Sequence, residues 1–575
     1  MRDALKTMGQ RGGAYLPAVL AGAFGVLWFL LGHGDRTLHP GRVDWLMVGD
    51  WSTHLLGWLF FRNEPPGLPL GAVPGLAWPL GTTVGFTDST PLVALLLRPL
   101  VGVLPFPFQY VGPWLALCFF LQGFVGARLT ALLTPGRLAQ GLGGMLFALA
   151  PVLLWRMGHE SLCAHWLLLG LLWVYLREWP DARRAVAVLF LLVGLSATIH
   201  PYLSVMALGL AVAALARLRW GEGTLSGRGA VLALGGLVAL LLVLFWALGY
   251  LGTRTPAGIE GFGDVSSDLL TLVNPMDWSR LLPTLPTARG QYEGYGYLGV
   301  GVLVLLAVGG GSALALRGRP EAWRPAWRRL VPLGVCCLAF AVYALSARVT
   351  LQGRPVLDLG PLYQPVMRAV EPFRSSGRFI WPLHYALLTA GLALVLGAWR
   401  HRPRVGTALL ALAVGVQVFD LSGALRTERF QGQAWNGLRS PEWRVMGEGY
   451  RHLALYPPLL HDGNGRGCPY PSGAPFGPMF AYHAASLGMT FNSAYLARVD
   501  PAGAQAVCAA LQRDVERGQF EPETVYVVPG AYLAPFLARP EAVVCGVLDG
   551  YVACVSTTRE TAFRQVLESR RLQGR

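Results

Sequence analysis

The stretch GAVLALGGLVALLLVLFWALGYLG, residues 229–252, contains no charged side chain. A helix needs about 20 apolar residues to cross the hydrocarbon core of a bilayer, so this stretch predicts a transmembrane helix. Similar apolar runs recur along the first three quarters of the chain, near residues 14–32, 108–127, 138–155, 162–177, 184–199, 202–216, 296–316, 330–347, 379–398 and 405–424. Together they predict a polytopic α-helical membrane protein with about 11 transmembrane helices.

The composition favours a membrane protein over a nucleic-acid-binding one. Of the 575 residues, 53% are hydrophobic and 14% are charged, whereas soluble domains average about a quarter charged residues. The formal net charge is +15. The basic residues, however, form short clusters between apolar runs and not the single stripe that is typical of a nucleic-acid interface. We therefore expect membrane lipids, and no nucleic acid, among the partners.

Arginine clusters between the runs predict the orientation, since short cytoplasmic loops carry an excess of Lys and Arg. With a cytoplasmic N-terminus, the outward turns at 157–161 and 200–201 contain neither residue type. The cytoplasmic loops would hold Arg128 and Arg137; Arg177, Arg183 and Arg184; Arg217, Arg219 and Arg228; Arg317, Arg319, Arg324, Arg328 and Arg329; and Arg400, Arg402 and Arg404. We predict a multi-pass protein of a bacterial cytoplasmic (inner) membrane, whose first run is an uncleaved span.

The apolar stretch 89–105 (STPLVALLLRPLVGVLP) does not fit this alternation as a span. It is short and contains Arg98 and three prolines. If it crossed, the orientation of every later loop would be inverted. We interpret it as re-entrant or interfacial, which is possible where protein covers the backbone.

This topology predicts two domains: residues 1–424, with a first outward loop at 33–107, and a periplasmic or extracellular domain at 425–575. Two further outward segments are expected at 253–295 and 349–377. The C-terminal domain has a soluble pattern that predicts a small α/β fold. Its expected elements are strands at His452–Tyr456, Thr524–Val528, Val543–Leu548 and Tyr551–Val555 and a helix at Ala502–Arg517, with Asp549-Gly550 as a two-residue hairpin turn.

Four cysteines lie in the C-terminal domain, and the others lie in or beside spans, where they are expected to pack. The hairpin turn places Cys545 directly opposite Cys554 in a non-hydrogen-bonded pair, where side chains approach closest. A disulfide between them is therefore plausible, and Cys468 would pair with Cys508 only by elimination. Four free thiols are the alternative.

Ionisable residues collect at the predicted outward ends of spans rather than at mid-depth. In VGDWSTHLLGWLFF, residues 48–61, an interfacial amphipathic helix is expected, with Asp50 and His54 sharing one face. The Asp50 carboxylate could act as a general base or a metal ligand, or simply cap the helix. Asp88, in FTDST, could assist or serve as an Asx-turn residue before Pro91.

Further candidates lie at two outward turns. RMGHESLCAHW contains His159, Glu160 and His165, which could contact a substrate or a divalent ion but match no compact zinc motif. His200 precedes Pro201 in TIHPY. For this histidine, and for the residues of the first turn, capping of helix ends is the alternative role.

Arg374 and Arg378 flank Ser-Ser-Gly in EPFRSSGRFIWP, where an outward loop enters a span. The planar fork of arginine donors suits phosphate, and the N–H groups at a helix start also favour an anion. A lipid-linked phosphate or diphosphate is the expected ligand. Snorkelling of the two side chains to lipid headgroups is the alternative.

The segments VGDWSTHLLGWLFFRNEP (48–65), GFTDSTPL (85–92), GHESLCAHW (158–166) and FRSSGRF (373–379) resemble an uncharacterised bacterial family of GT-C-like membrane proteins. The resemblance to the GT-C glycosyltransferase superfamily covers about residues 14–424. It implies inverting transfer of a sugar from a polyprenyl-phosphate donor on the outward face, with Asp50 as base or metal ligand and Asp88 or Glu160 as a second acid. It also implies that Arg374 and Arg378 hold the lipid phosphate and that the tail binds the acceptor. From their positions at the outward ends of spans, we predict substrate contacts by His54, His159, His165 and His200.

Other functions stay open from the sequence. A divalent cation such as Mg²⁺ or Mn²⁺ is a possible cofactor, although the paired acidic motif of several superfamily branches is missing. A transporter or flippase would place polar or broken helices at mid-depth, and a non-catalytic envelope assembly protein would bind the donor without turnover. The chain has no P-loop, HExxH or nucleophile-elbow signature.

Overall fold

Residues 2–252, 262–315, 327–425, 438–462, 467–468 and 477–572 are described by the computed structural model of the chain. The protein is mostly helical, with a sheet-containing C-terminal region. In chain order the helices are α1 (Arg2–His33), α2 (Asp50–Phe61), α3 (Pro91–Leu97), α4 (Val111–Thr130), α5 (Arg137–Ala148), α6 (Pro151–Trp155), α7 (Trp166–Leu176), α8 (Ala182–Ala197), α9 (Pro201–Ala216), α10 (Gly227–Leu248), α11 (Val300–Ala315), α12 (Trp327–Leu345), α13 (Gly360–Tyr363), α14 (Met367–Val370), α15 (Trp381–Ala398), α16 (Pro403–Leu421), α17 (Gly477–Ser486), α18 (Pro501–Arg517), α19 (Ala534–Leu537) and α20 (Ala562–Ser569).

Each of the predicted spans coincides with helix in the structure. Eight helical stretches among the described residues are long and apolar enough to cross a membrane: Ala14–His33, Val111–Thr130, Arg137–Gly158, Pro201–Gly221, Gly227–Leu248, Arg328–Leu345, Ser376–Ala398 and Pro403–Ala424. The remaining predicted spans correspond to the shorter helices α7, α8 and α11. Length and composition thus give a membrane-type helical protein.

Two details differ from a simple series of spans. The predicted span at 138–155 is two helices, α5 and α6, because Ala150 is extended and Pro151, which has no N–H to donate, starts a new helix. The stretch 89–105 forms only α3 and a 3-10 turn, Arg98–Leu100. At about 1.5 Å per residue this helix is too short to cross a bilayer, as expected for a re-entrant or interfacial segment.

The chain forms two compact units. Unit 1 comprises residues 1–38, 112–243 and 257–430, and unit 2 comprises residues 39–111, 244–256 and 431–575. The first loop therefore belongs to the same compact unit as the C-terminal region.

Small residues allow close helix contacts inside unit 1. A Cβ at Gly25 of α1 would lie 2.2 Å from the Phe119 carbonyl oxygen of α4. A Cβ at Gly123 would lie 2.2 Å from the Ala21 carbonyl oxygen, and one at Gly144 of α5 would lie 2.6 Å from the Gly123 carbonyl oxygen. Such approaches are typical of packing between membrane helices, where dispersion contacts replace a hydrophobic driving force.

Unit 2 contains a five-stranded mixed sheet. Its strands are β5 (His452–Leu455), β8 (Thr490–Phe491), β10 (Thr524–Val528), β11 (Val543–Leu548) and β12 (Tyr551–Ser556), in the order β11-β12-β10-β5-β8. The expected strands and the helix α18 are confirmed. Three smaller sheets also occur among the described residues. In unit 2, β1 (Ala72–Val73) pairs with β2 (Thr82–Thr83), and β6 (Leu460–Asp462), β7 (Gly467–Cys468) and β9 (Ala494–Leu496) form a three-stranded sheet. In unit 1, β3 (Arg348–Leu351) pairs with β4 (Arg354–Asp358).

Two disulfides stabilise unit 2. Asp549 and Gly550 both have positive φ, as a tight hairpin turn requires. Cys545 and Cys554 are paired residues of β11 and β12 and form a disulfide. A second disulfide joins Cys468 to Cys508.

The first loop is bound to the C-terminal region by backbone hydrogen bonds. The Phe491 N–H donates to the Gly75 carbonyl at 2.7 Å, and the Trp78 N–H donates to the Phe491 carbonyl at 3.0 Å. The Trp78 ring also stacks on His452, with ring centroids 4.1 Å apart. These contacts make the first loop and the C-terminal sheet a single body.

Candidate functional site

The predicted site residues divide between the two units. In unit 2, Asp50 is the first residue of α2 and is exposed. The N-cap of α2 is Gly49, with φ +56°, which has no side chain to cap the helix. The capping alternative for Asp50 is therefore wrong, because the glycine that precedes it occupies the cap position. Its carboxylate lies on the first helical turn, where the helix dipole favours a negative charge.

His54 and Asp88 meet next to this turn. His54 is one helical turn after Asp50 and only 1% exposed. Asp88 has a positive φ of 55°, which Asp tolerates better than most residues. A ring nitrogen of His54 and a carboxylate oxygen of Asp88 lie within 4.8 Å of one another. The structure thus brings together these two residues, which are 34 positions apart in the chain.

Hydroxyl groups hold the Asp88 loop against α2. The Ser89 hydroxyl donates to the His54 carbonyl at 2.6 Å and lies 3.0 Å from the Thr87 hydroxyl, which donates to the Val84 carbonyl. A Cβ at Gly57 would lie 2.0 Å from the Thr87 oxygen, so α2 and this loop can approach only because Gly57 has no side chain. The hydrogen bonds fix the backbone on both sides of Asp88.

Tyr250 is a member of this region that the sequence analysis missed. Burial, and then the Asp88 charge, raises the pKa of its hydroxyl, so it stays protonated and can donate a hydrogen bond. Its ring packs against Phe86 at 5.7 Å, and a Cβ at Gly85 would lie 2.4 Å from it. Tyr250 lies near the end of the apolar run 229–252, two residues after the end of α10, and its polarity there was the available signal.

In chemical terms this cluster offers an exposed acid, an imidazole and a second carboxylate. His54 and Asp88 could supply one nitrogen and one oxygen to a divalent cation; imidazole suits transition metals and carboxylate suits Mg²⁺ or Mn²⁺. Asp50, on a rigid helix, could take a proton from a hydroxyl group.

In unit 1 the structure places a buried ion cluster around Glu293. Arg156 Nη1 donates to Glu293 Oε2 at 2.6 Å, and Arg378 Nε donates to the same oxygen at 2.7 Å. Arg156 Nη2 also donates to the carbonyls of Tyr292 and Glu293. All three charged residues are buried. The Glu293 carboxylate thus lies between two guanidinium groups.

The two arginines dominate the titration of Glu293. Burial alone would raise the pKa of the Glu293 carboxyl, but Arg156 and Arg378, with a smaller contribution from His159, hold it well below its usual range. The carboxyl is therefore ionised at every physiological pH. Arg156 and Glu293 were missed by the sequence analysis, although each is a charged residue beside an apolar run.

Arg378 and His200 are engaged by neighbouring residues of unit 1. The Arg378 guanidinium lies over the Tyr202 ring at 4.8 Å, in addition to its bond to Glu293. His200 is the N-cap of α9, and its Nδ1 accepts from the Tyr202 N–H at 3.2 Å, so its capping role is confirmed. Among the described residues, none forms an ion pair with Arg374. Of the predicted arginine pair, Arg378 is thus bound to Glu293, and Arg374 has no ionic partner within the described part of the chain.

His165 and Glu160 are buried rather than presented on an outward turn. His165 Nδ1 lies 2.7 Å from the Tyr385 hydroxyl, and its ring packs on Trp381 at 4.2 Å. The Glu160 carbonyl accepts from Trp114 Nε1 at 2.9 Å. His159, which is partly exposed, interacts electrostatically with Glu293. Of these three, His159 has the accessibility that contact with a soluble ligand requires.

Comparison with known proteins gives a family and no activity. A family model described as a domain of unknown function (DUF6311) matches residues 22–422, and a second, the DUF6311 C-terminal domain, matches residues 442–556. No curated protein matches the chain. Since the first model covers well over half of the sequence, and the second covers most of the C-terminal region, the protein belongs to the DUF6311 family.

Proposed function

We propose that this protein is a multi-pass glycosyltransferase of a bacterial cytoplasmic membrane, which transfers a sugar from a polyprenyl-phosphate-type donor to an acceptor on the outward face. The observation that carries the proposal lies in unit 2: His54 and Asp88 offer ligand atoms within 4.8 Å of one another, and the exposed Asp50 lies about one helical turn before His54 on α2. The GT-C resemblance supplies the reaction class, because a fold alone does not define a reaction.

Connectivity supports the topology. The three pieces of unit 2 form one body, so in a membrane they would lie on one side, and an even number of spans would separate each piece from the next. Between the second and third pieces lie three long apolar helices, α12, α15 and α16. The shorter α11 would then cross as a fourth span. By the same rule α7 and α8 would both cross or both not cross.

The chemistry assigned to Asp50 is general-base catalysis. The carboxylate would take the proton of the acceptor hydroxyl as the hydroxyl oxygen attacks the anomeric carbon of the sugar. The bond from that carbon to the phosphate oxygen breaks, and the lipid phosphate leaves with the bonding electrons. Attack from the face opposite the phosphate inverts the anomeric centre. His54 and Asp88 would position the reacting groups or hold a divalent cation.

A lipid-linked donor also requires a phosphate site, for which unit 1 offers its arginines. Arg156 and Arg378 both donate to the Glu293 carboxylate, and Arg374 has no ion pair among the described residues. Arginine forks bind phosphate in a bidentate manner, which a lysine cannot reproduce. These observations favour Arg374 and Arg378 as phosphate ligands.

The test is Asp50→Asn in the full-length protein, assayed in proteoliposomes with a panel of radiolabelled polyprenyl-phosphate hexoses. We expect kcat to fall by about 100-fold or more, since general-base catalysis contributes 10²–10⁴. Asp44→Asn is the matched control, because Asp44 lies in a short 3-10 helix (Asp44–Leu46) of the same loop. Its activity should match the wild type.

Two results would overturn the proposal. If Asp50→Asn transfers sugar at the wild-type rate, Asp50 has no part in the chemistry. If the wild type moves a donor across the bilayer without transferring its sugar, the protein is a transporter or flippase. Donor binding without turnover would instead identify an envelope assembly protein.

A further inference from the structure

Unit 2 contains a cavity of about 770 Å³ that the proposed chemistry does not use. Its walls come from residues 68–69 and 80–86 of the first loop, 246–252 at the end of α10, and 496–500 of the C-terminal region. Most of the lining side chains are apolar, among them Leu80, Phe86, Leu496 and Val499. The volume lies in the range of small-molecule sites, about 300–1,000 Å³.

The rim of the cavity exposes large apolar side chains. Leu68 is 69% exposed, Trp246 is 61% exposed and Leu251 is 55% exposed. Trp246 is on the last turn of α10, whose apolar stretch has the highest mean hydropathy of the eight, 2.8, and is only 22% buried within the protein. A helix of this kind faces lipid. The cavity wall is therefore continuous with a lipid-facing surface, and a hydrocarbon chain could enter from the side.

Two opposite charges line the same cavity. Arg498 and Asp500 are two residues apart and both line it. Asp500 is the N-cap of α18, where its Oδ1 accepts from the Ala502 N–H at 3.2 Å. This cap fixes the carboxylate in place, so a cation and an anion are held at the edge of an apolar space. A ligand that matches both charges carries a phosphate and an ammonium group.

We propose that this cavity binds a phospholipid with a zwitterionic, primary-amine headgroup. An acyl chain occupies the apolar space, Arg498 binds the phosphate, and Asp500 accepts from the ammonium group. A quaternary ammonium has no N–H to donate, and an anionic glycerol headgroup has no cation for Asp500. The site therefore prefers phosphatidylethanolamine to phosphatidylcholine or phosphatidylglycerol. The inference does not rest on glycosyl transfer.

The experiment is native mass spectrometry of the full-length protein released from nanodiscs that contain equal amounts of the three phospholipids, with no sugar donor present. The wild type should retain phosphatidylethanolamine about tenfold over phosphatidylglycerol, as expected for one charge-assisted hydrogen bond. Asp500→Asn should reduce this preference to about one. Because Asn caps a helix as well as Asp, this variant should keep its fold.

A bulky substitution tests whether the cavity itself is the site. Gly252 lines the cavity, and among the described residues a Cβ there would meet only the Gly249 carbonyl oxygen, at 3.7 Å. Gly252→Trp should therefore fill the space without a clash and lower retention of phosphatidylethanolamine about tenfold. Gly235→Trp on α10 is the matched control, since a Cβ at Gly235 has no described neighbour within 4 Å, and its retention should equal the wild type.

Three outcomes would overturn the proposal: equal retention of all three lipids by the wild type, unchanged selectivity in Asp500→Asn, or unchanged retention in Gly252→Trp. If a soluble glycan binds the wild type and Gly252→Trp abolishes that binding, the ligand of the cavity is an acceptor sugar and not a lipid. Asp50→Asn should leave lipid retention unchanged. Loss of sugar transfer in that variant and loss of lipid binding in the others are thus separate results.

Discussion

The charged groups of the two units are arranged in opposite ways. In unit 1, Arg156, Glu293 and Arg378 are buried and satisfy one another through hydrogen bonds of 2.6 and 2.7 Å. In unit 2, Asp50 is exposed on the first turn of a helix whose cap is a glycine. The first arrangement uses charge to fix the positions of segments far apart in the chain. The second leaves an acid accessible on a rigid element, which is what proton transfer requires.

The difference shows which charges are available for chemistry. A buried carboxylate between two arginines is held in its ionised state and cannot exchange protons near neutral pH. An exposed carboxylate on the first turn of a helix is accessible to a substrate hydroxyl and can accept its proton in a transition state. We therefore assign Glu293 a positioning role and Asp50 a catalytic one, and the predictions below test this contrast.

The largest effect on stability is expected for Glu293→Ala. Removing one partner from a buried ion pair leaves guanidinium groups without compensation and costs about 3–5 kcal/mol. The free energy of unfolding, measured by denaturant titration in mixed micelles, should fall by this amount. Glu178→Ala is the control, because its pair with Arg329, at 3.1 Å, is exposed and should contribute below about 1 kcal/mol.

The ion cluster around Glu293 should also affect how the free energy of unfolding depends on pH. The folded-state pKa of Glu293 lies below its unfolded value. Its contribution is therefore complete above the ordinary pKa of a glutamate, about 4.3, and is lost as the pH falls towards the folded-state value. The unfolding free energy of the wild type should decrease below that pH more steeply than that of Glu293→Gln. Equal slopes would show that the cluster contributes little.

A smaller loss is expected from the hairpin disulfide of unit 2. The double variant Cys545→Ser/Cys554→Ser removes a disulfide between two residues that are nine positions apart in the sequence. The entropy of closing so short a loop corresponds to about 2–3 kcal/mol. Dithiothreitol reduces the Cys468–Cys508 disulfide as well, so it should bring the wild type and the double variant to the same, lower stability. If dithiothreitol changed neither the stability of the wild type nor its number of free thiols, this expectation would be contradicted.

The disulfides also bear on sidedness. Structural disulfides persist in oxidising compartments and are rare in the cytosol. Both lie in unit 2, and the free cysteines of the described chain, Cys118, Cys163, Cys336 and Cys337, lie in unit 1. This distribution favours an outward location for unit 2.

Much of the fold was accessible from the sequence because its signals are local. An apolar run of about 20 residues is visible without any partner, and so is the Asp-Gly turn that set the hairpin register. The break before Pro151 was also a local signal, but the apolar run on both sides of it obscured the turn. The packing of the first loop with the C-terminal sheet depends on contacts such as Gly75 with Phe491, which no periodicity encodes.

In the candidate site, too, local relations could be predicted from the sequence and long-range pairings could not. Asp50 and His54 could be paired from helical spacing, and Asp88 from its position in a polar turn. The pairing of Arg156 with Glu293 spans 137 residues, so spacing could not predict it. Arg378 was recognised as a cationic ligand, but its partner in the structure is a carboxylate of the protein. Sequence patterns identified charged residues correctly and could not tell which of them neutralise one another.

The smallest effect is expected for His200, which separates capping from substrate binding. His200 Nδ1 accepts from the Tyr202 N–H at the start of α9. His200→Ala should lower the free energy of unfolding by about 1 kcal/mol, the usual cost of a lost N-cap, and His200→Asn should restore it, because Asn is a strong capping residue. If capping is the whole role, sugar transfer should be normal in His200→Asn. A variant that regains stability but stays inactive would instead place His200 among the residues that contact substrate, and unit 1 would then take part in the chemistry as well as in positioning.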